Sequence, residues 1–114
     1  MISSAAPRPP KGMLAYYRGS WISAPEDEPT SFWYEVDSEG AVLRSVEVYR
    51  DGRAMADDIA RYPGGASDFG FGTLIGDDFY RLAWQWPAQD DTDVTVMLDA
   101  TAFEFECIWK GATA

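Results

Sequence analysis

The chain has no histidine and one cysteine, and it carries only 9 Lys and Arg against 19 Asp and Glu. Without histidine, the commonest general base, the histidine-containing triads and the commonest metal ligand are all missing. A lone Cys107 forbids an intramolecular disulfide and carries no implication of an oxidising compartment. We expect it to be a small buried hydrophobe rather than a nucleophile, since no base is available to activate it. No apolar run reaches the length of a membrane span or forms the core of a secretion signal, which predicts a cytoplasmic protein with no membrane contact. The shortage of cations argues against nucleic-acid binding: a formal charge of −10 repels phosphate backbones and anionic lipid alike.

What remains is rich in core-forming material. Hydrophobic residues make up 46% and aromatics 15% of 114 residues, enough for a single folded body and too much for disorder. Residues 1–12 hold three prolines and read as a flexible Pro/Ala-rich arm, leaving 13–111 as one domain. The clearest pattern is Ser31–Asp58. Three alternating runs are joined there by two short turn signals, Asp37-Ser38-Glu39-Gly40 and Arg50-Asp51-Gly52; Asp-Gly between alternating runs predicts a tight primed turn whose glycine supplies positive φ. Phe32, Tyr34 and Val36 share one face of the first run, and Trp33 and Glu35 the other. In the second run Val42, Arg44, Val46 and Val48 share the expected core face, with Arg44 at its edge or paired with an acid. Arg53–Ala56 follows as a short edge strand.

Met13–Ile22 is a further strand, apolar on both faces and therefore expected either in the middle of a sheet or under an aromatic-rich loop. Asp77–Ala88 fits a strand through Tyr80, Leu82, Trp84 and Trp86, or a helix through Phe79, Leu82, Ala83 and Trp86; the aromatic content leans it toward extended structure. Val94–Leu98 is a short strand. Asp99–Lys110 reads as a helix capped by Asp99 and stopped at Gly111, with Ala102, Phe105, Ile108 and Trp109 on one face; the rival is a strand alternating through Phe103, Phe105, Cys107 and Trp109. The fold class is thus α+β: an antiparallel meander of about four to six strands with one C-terminal helix packed on it.

Several of these stretches resemble a small bacterial family of unknown function, DUF6881-like in character. The resemblance rests on Trp21-Ile22 followed by Asp27-Glu28-Pro29, on the strand Tyr34-Glu35-Val36-Asp37, and on the hairpin Val46 to Arg53. It extends to Phe105-Glu106-Cys107-Ile108-Trp109. It implies a bacterial origin and the sheet-plus-helix fold, and it supplies no catalytic residues.

Candidate chemistry is confined to carboxylates and aromatics. Asp90, Asp91 and Asp93 resemble a fragment of a calcium loop but lack its glycine and distal glutamate, so no metal and no cofactor is expected. Paired acids such as Asp77-Asp78 fit solvated turns better than a glycosidase pair. The expected role is therefore non-enzymatic: an acidic protein-binding inhibitor, foremost an immunity protein that neutralises a bacterial toxin by occluding its active or substrate-binding site. The partner would be a basic toxin or a nucleic-acid-binding enzyme. Its contacts are expected at Glu26, Asp27, Glu28, Asp77, Asp78, Trp84, Trp86, Asp90, Asp91 and Asp93. Two alternatives stand beside it: a phage-encoded, nucleic-acid-mimicking inhibitor of a host defence complex, and a small-ligand or carbohydrate module that stacks sugars on Trp84 and Trp86.

Overall fold

Two loops with the same construction set the sheet. In one, the Asp37 amide donates to the Ala41 carbonyl (3.0 Å) and the Gly40 amide to the Asp37 carbonyl (3.2 Å). In the other, Tyr49 donates to Arg53 (2.8 Å) and Gly52 to Tyr49 (2.9 Å). Gly40 and Gly52 hold φ of 95° and 92°. Both are three-residue loops ending in a left-handed glycine, where the sequence predicts a tight primed turn at Asp51-Gly52, and the glycine serves the expected purpose. An aspartate rigidifies each loop: Asp37, which leads the first, accepts through Oδ1 from the Glu39 and Ala41 amides, and Asp51, inside the second, accepts through Oδ1 from the Arg53 amide, all at 2.9 Å.

The computed structural model describes residues 9–21, 24–61, 79–82 and 95–114. Its elements are β1 (Ala15–Trp21), β2 (Pro29–Val36), β3 (Val42–Tyr49), β4 (Ala54–Asp58), a 3-10 turn (Ile59–Arg61), α1 (Phe79–Leu82), β5 (Thr95–Ala100) and α2 (Ala102–Thr113). All neighbours in the five-stranded sheet are antiparallel, in the order β4-β3-β2-β1-β5. The α+β class and the C-terminal helix on a meander are as the sequence predicts. β1 lies between β2 and β5, which explains its apolar residues on both faces, and β4 is the expected short edge strand.

The helix covers one face. Trp33, Val46 and Phe105 are buried together, with Tyr16, Val48, Ala54, Ala56, Ala100, Ile108, Trp109 and Ala112 packed around them. Val42 lies outside this cluster. It pairs with Val36 beyond a register shift that interrupts the alternation of the valine run. On the opposite face Tyr17 and Tyr34 meet Phe79 at ring-centroid distances of 5.1 and 5.3 Å. Phe79 and Tyr80 are adjacent and both essentially buried, and their segment forms one helical turn rather than a strand. The lean toward extended structure is therefore corrected at Phe79–Leu82; the rest of the Asp77–Ala88 segment lies outside the described residues. The Phe79 amide donates to the Gly40 carbonyl and the Tyr80 hydroxyl to the Asp37 carbonyl, pinning this turn to the β2–β3 loop.

The boundaries of α2 differ from expectation. Asp99 belongs to β5, and Thr101 is the N-cap: its side chain accepts from the Glu104 amide while Glu104 accepts from the Thr101 amide. This reciprocal Thr-x-x-Glu box satisfies two otherwise orphan donors and outcompetes an aspartate two residues earlier. The helix also runs through Gly111 to Thr113. Cys107 is exposed rather than buried, because it lies on the outer side of the helix, away from Phe105 and Trp109. Among the described residues no helix is long and apolar enough to cross a membrane.

Arg44 locks the helix to the sheet. Its guanidinium binds both oxygens of the nearly buried Glu35 (2.8 and 2.7 Å) and reaches Glu106 on α2 at 2.5 Å. It lies 4.9 Å from the Phe105 ring centroid and 4.8 Å from that of Trp109. The Tyr16 hydroxyl donates to Glu35, and burial together with that acid raises the phenol's pKa. The expectation that Arg44 pairs with an acid is met by two.

Candidate functional site

The sheet end that carries the β1–β2 connection and the β3–β4 turn brings an acidic loop beside an arginine-bearing turn. Pro25 and Pro29 bracket Glu26-Asp27-Glu28, and the Glu28 amide donates to the Pro25 carbonyl (3.1 Å), closing a turn that presents three exposed carboxylates. This loop is fastened from two sides. Thr30 donates through Oγ1 to the Val48 carbonyl (3.3 Å), and the Arg50 guanidinium donates to the carbonyl of buried Ala24 (2.9 Å). Register completes the juxtaposition, since Pro29 pairs with Tyr49.

Between loop and turn lies a cleft of about 240 Å³ lined by Glu26, Tyr49, Arg50, Asp51 and Arg53. The Arg53 guanidinium lies 4.2 Å from the Tyr49 ring centroid, with its Nε 4.0 Å from Asp51. Both partners of that ion pair are well exposed, so it contributes little to stability. The cleft is lined by two charges of each sign, whereas Asp27 and Glu28, which follow Glu26 in the loop, are acidic only.

The acidic character continues onto the sheet face opposite α2. Glu47 pairs in register with Phe32 and Met55. Burial, then the nearby Glu28 and Asp57 carboxylates, push its pKa up to about 7. Among the described residues no hydrogen bond or ion pair engages it. Burial also raises the phenols of Tyr34 and Tyr49, with Glu47 adding to both and Arg53 opposing at Tyr49. Ser45, across from Asp57, is fully buried, and among the described residues its hydroxyl has no hydrogen-bond partner. Among the described residues no group of three or more Asp, Glu, Cys or His side chains could hold a metal ion.

Of the residues expected to make contacts, Glu26, Asp27 and Glu28 fall at this sheet end, and Glu26 lines the cleft. Asp77, Asp78, Trp84, Trp86, Asp90, Asp91 and Asp93 lie outside the described residues. Sequence reasoning pairs Arg50 and Arg53 with neighbouring acids across the hairpin, whereas among the described residues Arg50 bonds the Ala24 carbonyl and no carboxylate, and Arg53 stays 4.0 Å from Asp51. It reads Tyr49 and Glu47 as strand residues. The available signal was a turn with an arginine on either side of Asp51-Gly52, one strand pairing away from the acidic loop.

No curated protein and no solved structure matches the chain. A family model described as a domain of unknown function, DUF6881, matches residues 15–73. That stretch takes in β1 to β4, the acidic loop and the arginine-bearing turn, while α2 falls beyond it. With more than half of its length inside that model, the chain belongs to the DUF6881 family.

Proposed function

We propose that the protein is an acidic, non-enzymatic binding protein, an immunity protein that neutralises a bacterial toxin by covering its active or substrate-binding site. The observation that carries this reading is the exposed Glu26-Asp27-Glu28 run, held on a braced loop at one end of a rigid sheet. Carboxylates fixed in this way add their fields and draw a basic cleft into register before contact forms. Such steering raises association rates by roughly 10- to 1,000-fold at low salt. Binding loops on a rigid scaffold also keep the ordering cost of association low.

The test pairs this protein with a basic toxin encoded beside its gene and measures association by stopped flow. The wild type is expected to inhibit at one-to-one stoichiometry, with an on-rate that falls steeply as salt shortens the screening length below about 8 Å. The triple variant Glu26→Lys, Asp27→Lys, Glu28→Lys is expected to lose most of that rate. An on-rate flat across salt, or a triple variant that associates like the wild type, overturns the reading. The same charge array would serve a nucleic-acid-mimicking inhibitor of a defence complex; a neighbouring gene encoding such a target would shift the assignment to that partner.

A further inference from the structure

The chain has about two acids for every base, so an arginine has no shortage of carboxylates to pair with. Arg44 shows what saturation looks like: two carboxylates within hydrogen-bond distance and two aromatic rings, Phe105 and Trp109, with centroids 4.9 and 4.8 Å from the guanidinium. Arg50 and Arg53 are different. Arg50 spends one donor on the Ala24 carbonyl and, among the described residues, contacts no carboxylate. Arg53 has only Asp51 at 4.0 Å, beyond hydrogen-bonding range, and rests on the Tyr49 ring. A guanidinium carries five N–H donors in a planar fork that matches a carboxylate. Two such forks line one cleft with most of their donors uncommitted.

We propose that this cleft receives a carboxylate side chain of the protein partner, held between Arg50 and Arg53. The inference rests on reading this end of the sheet as a protein-binding surface and adds the chemistry of one contact. Size favours a side chain over a free metabolite: about 240 Å³ falls below the roughly 300–1,000 Å³ of small-molecule pockets. Charge favours a monoanion over phosphate, because Glu26 and Asp51 line the same cleft and repel a second negative charge. Arg50 is already oriented by its bond to Ala24, and Arg53 by the ring beneath it, so neither arginine needs much ordering when the carboxylate arrives. The contact would give selectivity. The exposed acids of the Glu26–Glu28 loop attract any basic surface, but the cleft accepts only one that also offers an acid at the right place.

The probe is the peptide acetyl-Gly-Glu-Gly-amide, with its glutamine counterpart and inorganic phosphate as separate arms. The readout is the arginine Nε resonances of the full chain. The glutamate peptide is expected to shift Arg50 and Arg53 saturably at millimolar concentrations, while Arg44, already saturated, stays still. Phosphate should act more weakly and the glutamine peptide not at all. Arg53→Gln should weaken the glutamate peptide about tenfold, the scale of one charge-assisted bond. Equal shifts from the two peptides, stronger binding of phosphate, no saturable shift, or indifference to Arg53→Gln each overturn the proposal. Any of these would leave the charge-reversal test on Glu26, Asp27 and Glu28 standing on its own. A failed charge reversal would in turn leave the peptide result intact.

Discussion

Glu47→Gln tests whether the sheet face beside the acidic loop is as poorly suited to a free carboxylate as its surroundings indicate. Glu47 ionises near pH 7 in the folded chain against an ordinary value of 4.5, chiefly through burial and secondarily through Glu28 and Asp57. The other titratable groups facing it, Tyr34 and Tyr49, are neutral phenols at these pH values. Between the two pKa values the folded chain keeps a proton that the unfolded chain releases. Stability therefore falls as pH rises from about 4.5 through about 7, and the penalty is complete above that. The unscreened shift corresponds to roughly 3 kcal/mol. Solvent screening of a half-buried side chain reduces this to on the order of 1–2 kcal/mol. Glutamine mimics the neutral acid, so the variant should be more stable than wild type by that amount at pH 8 and nearly equal to it at pH 5. Urea unfolding at the two pH values, with equal m-values, reads the difference as a shift in midpoint. A side-chain carbon titration locates the pKa itself, and Glu28→Gln should lower it only modestly because burial is the larger cause. The same stability difference at both pH values, or a variant less stable than wild type at pH 8, would refute the reasoning.

Three further substitutions probe the scaffold. Arg44→Met strips the cation from Glu35, a carboxylate only 6% exposed, and should cost roughly 3 kcal/mol in urea unfolding. The double variant Glu35→Gln, Arg44→Met should recover much of that loss, and a double variant no better than the single one would refute the assignment. Ser45→Ala removes a buried hydroxyl that has no partner among the described residues and should raise stability by about 1 kcal/mol, visible as a higher melting temperature; a lower one would mean the hydroxyl has a partner. Gly52→Ala meets no neighbouring atom, so its expected loss of about 1 kcal/mol comes from the left-handed backbone alone, and an unchanged unfolding midpoint would count against that geometry.

The sheet was legible in the sequence because it is built from local signals. Alternation in Ser31–Asp58 depends on side-chain period, and Gly40 and Gly52 mark their loops by a requirement of φ that few other residues meet. The helix was legible in kind and misplaced in extent, since Asp99 and Thr101 both cap well in isolation and only the reciprocal bond with Glu104 decides between them. Phe79-Tyr80 was misread for a related reason. Alternation counts apolar positions along the segment, while the deciding facts are contacts to Gly40, Asp37 and Tyr17 far away in the chain. The acidic loop was visible as a candidate, but its neighbour across the cleft was not. That depends on Pro29 pairing with Tyr49, a register that neither segment records by itself.

The same limitation bears on how charge should be read in an acid-rich protein. Counting acids identifies a negative surface but cannot distinguish carboxylates that steer from those spent internally. Glu35 and Glu106 are spent on Arg44, whereas Glu26, Asp27 and Glu28 are exposed and tied to no arginine side chain among the described residues. The scarcer sign is the more informative one. Each arginine is surrounded by potential partners, so one that remains unsaturated does so because of its position in the fold rather than for lack of acids. Arg50 and Arg53 occupy such positions, on a turn whose backbone is fixed by Asp51 and Gly52 and whose side chains face the acidic loop across an open cleft. A partner that only needed to be basic would gain nothing from them. One that presents an acid among its cations would be selected by them, and the two arginines are therefore where selectivity for the partner should be sought.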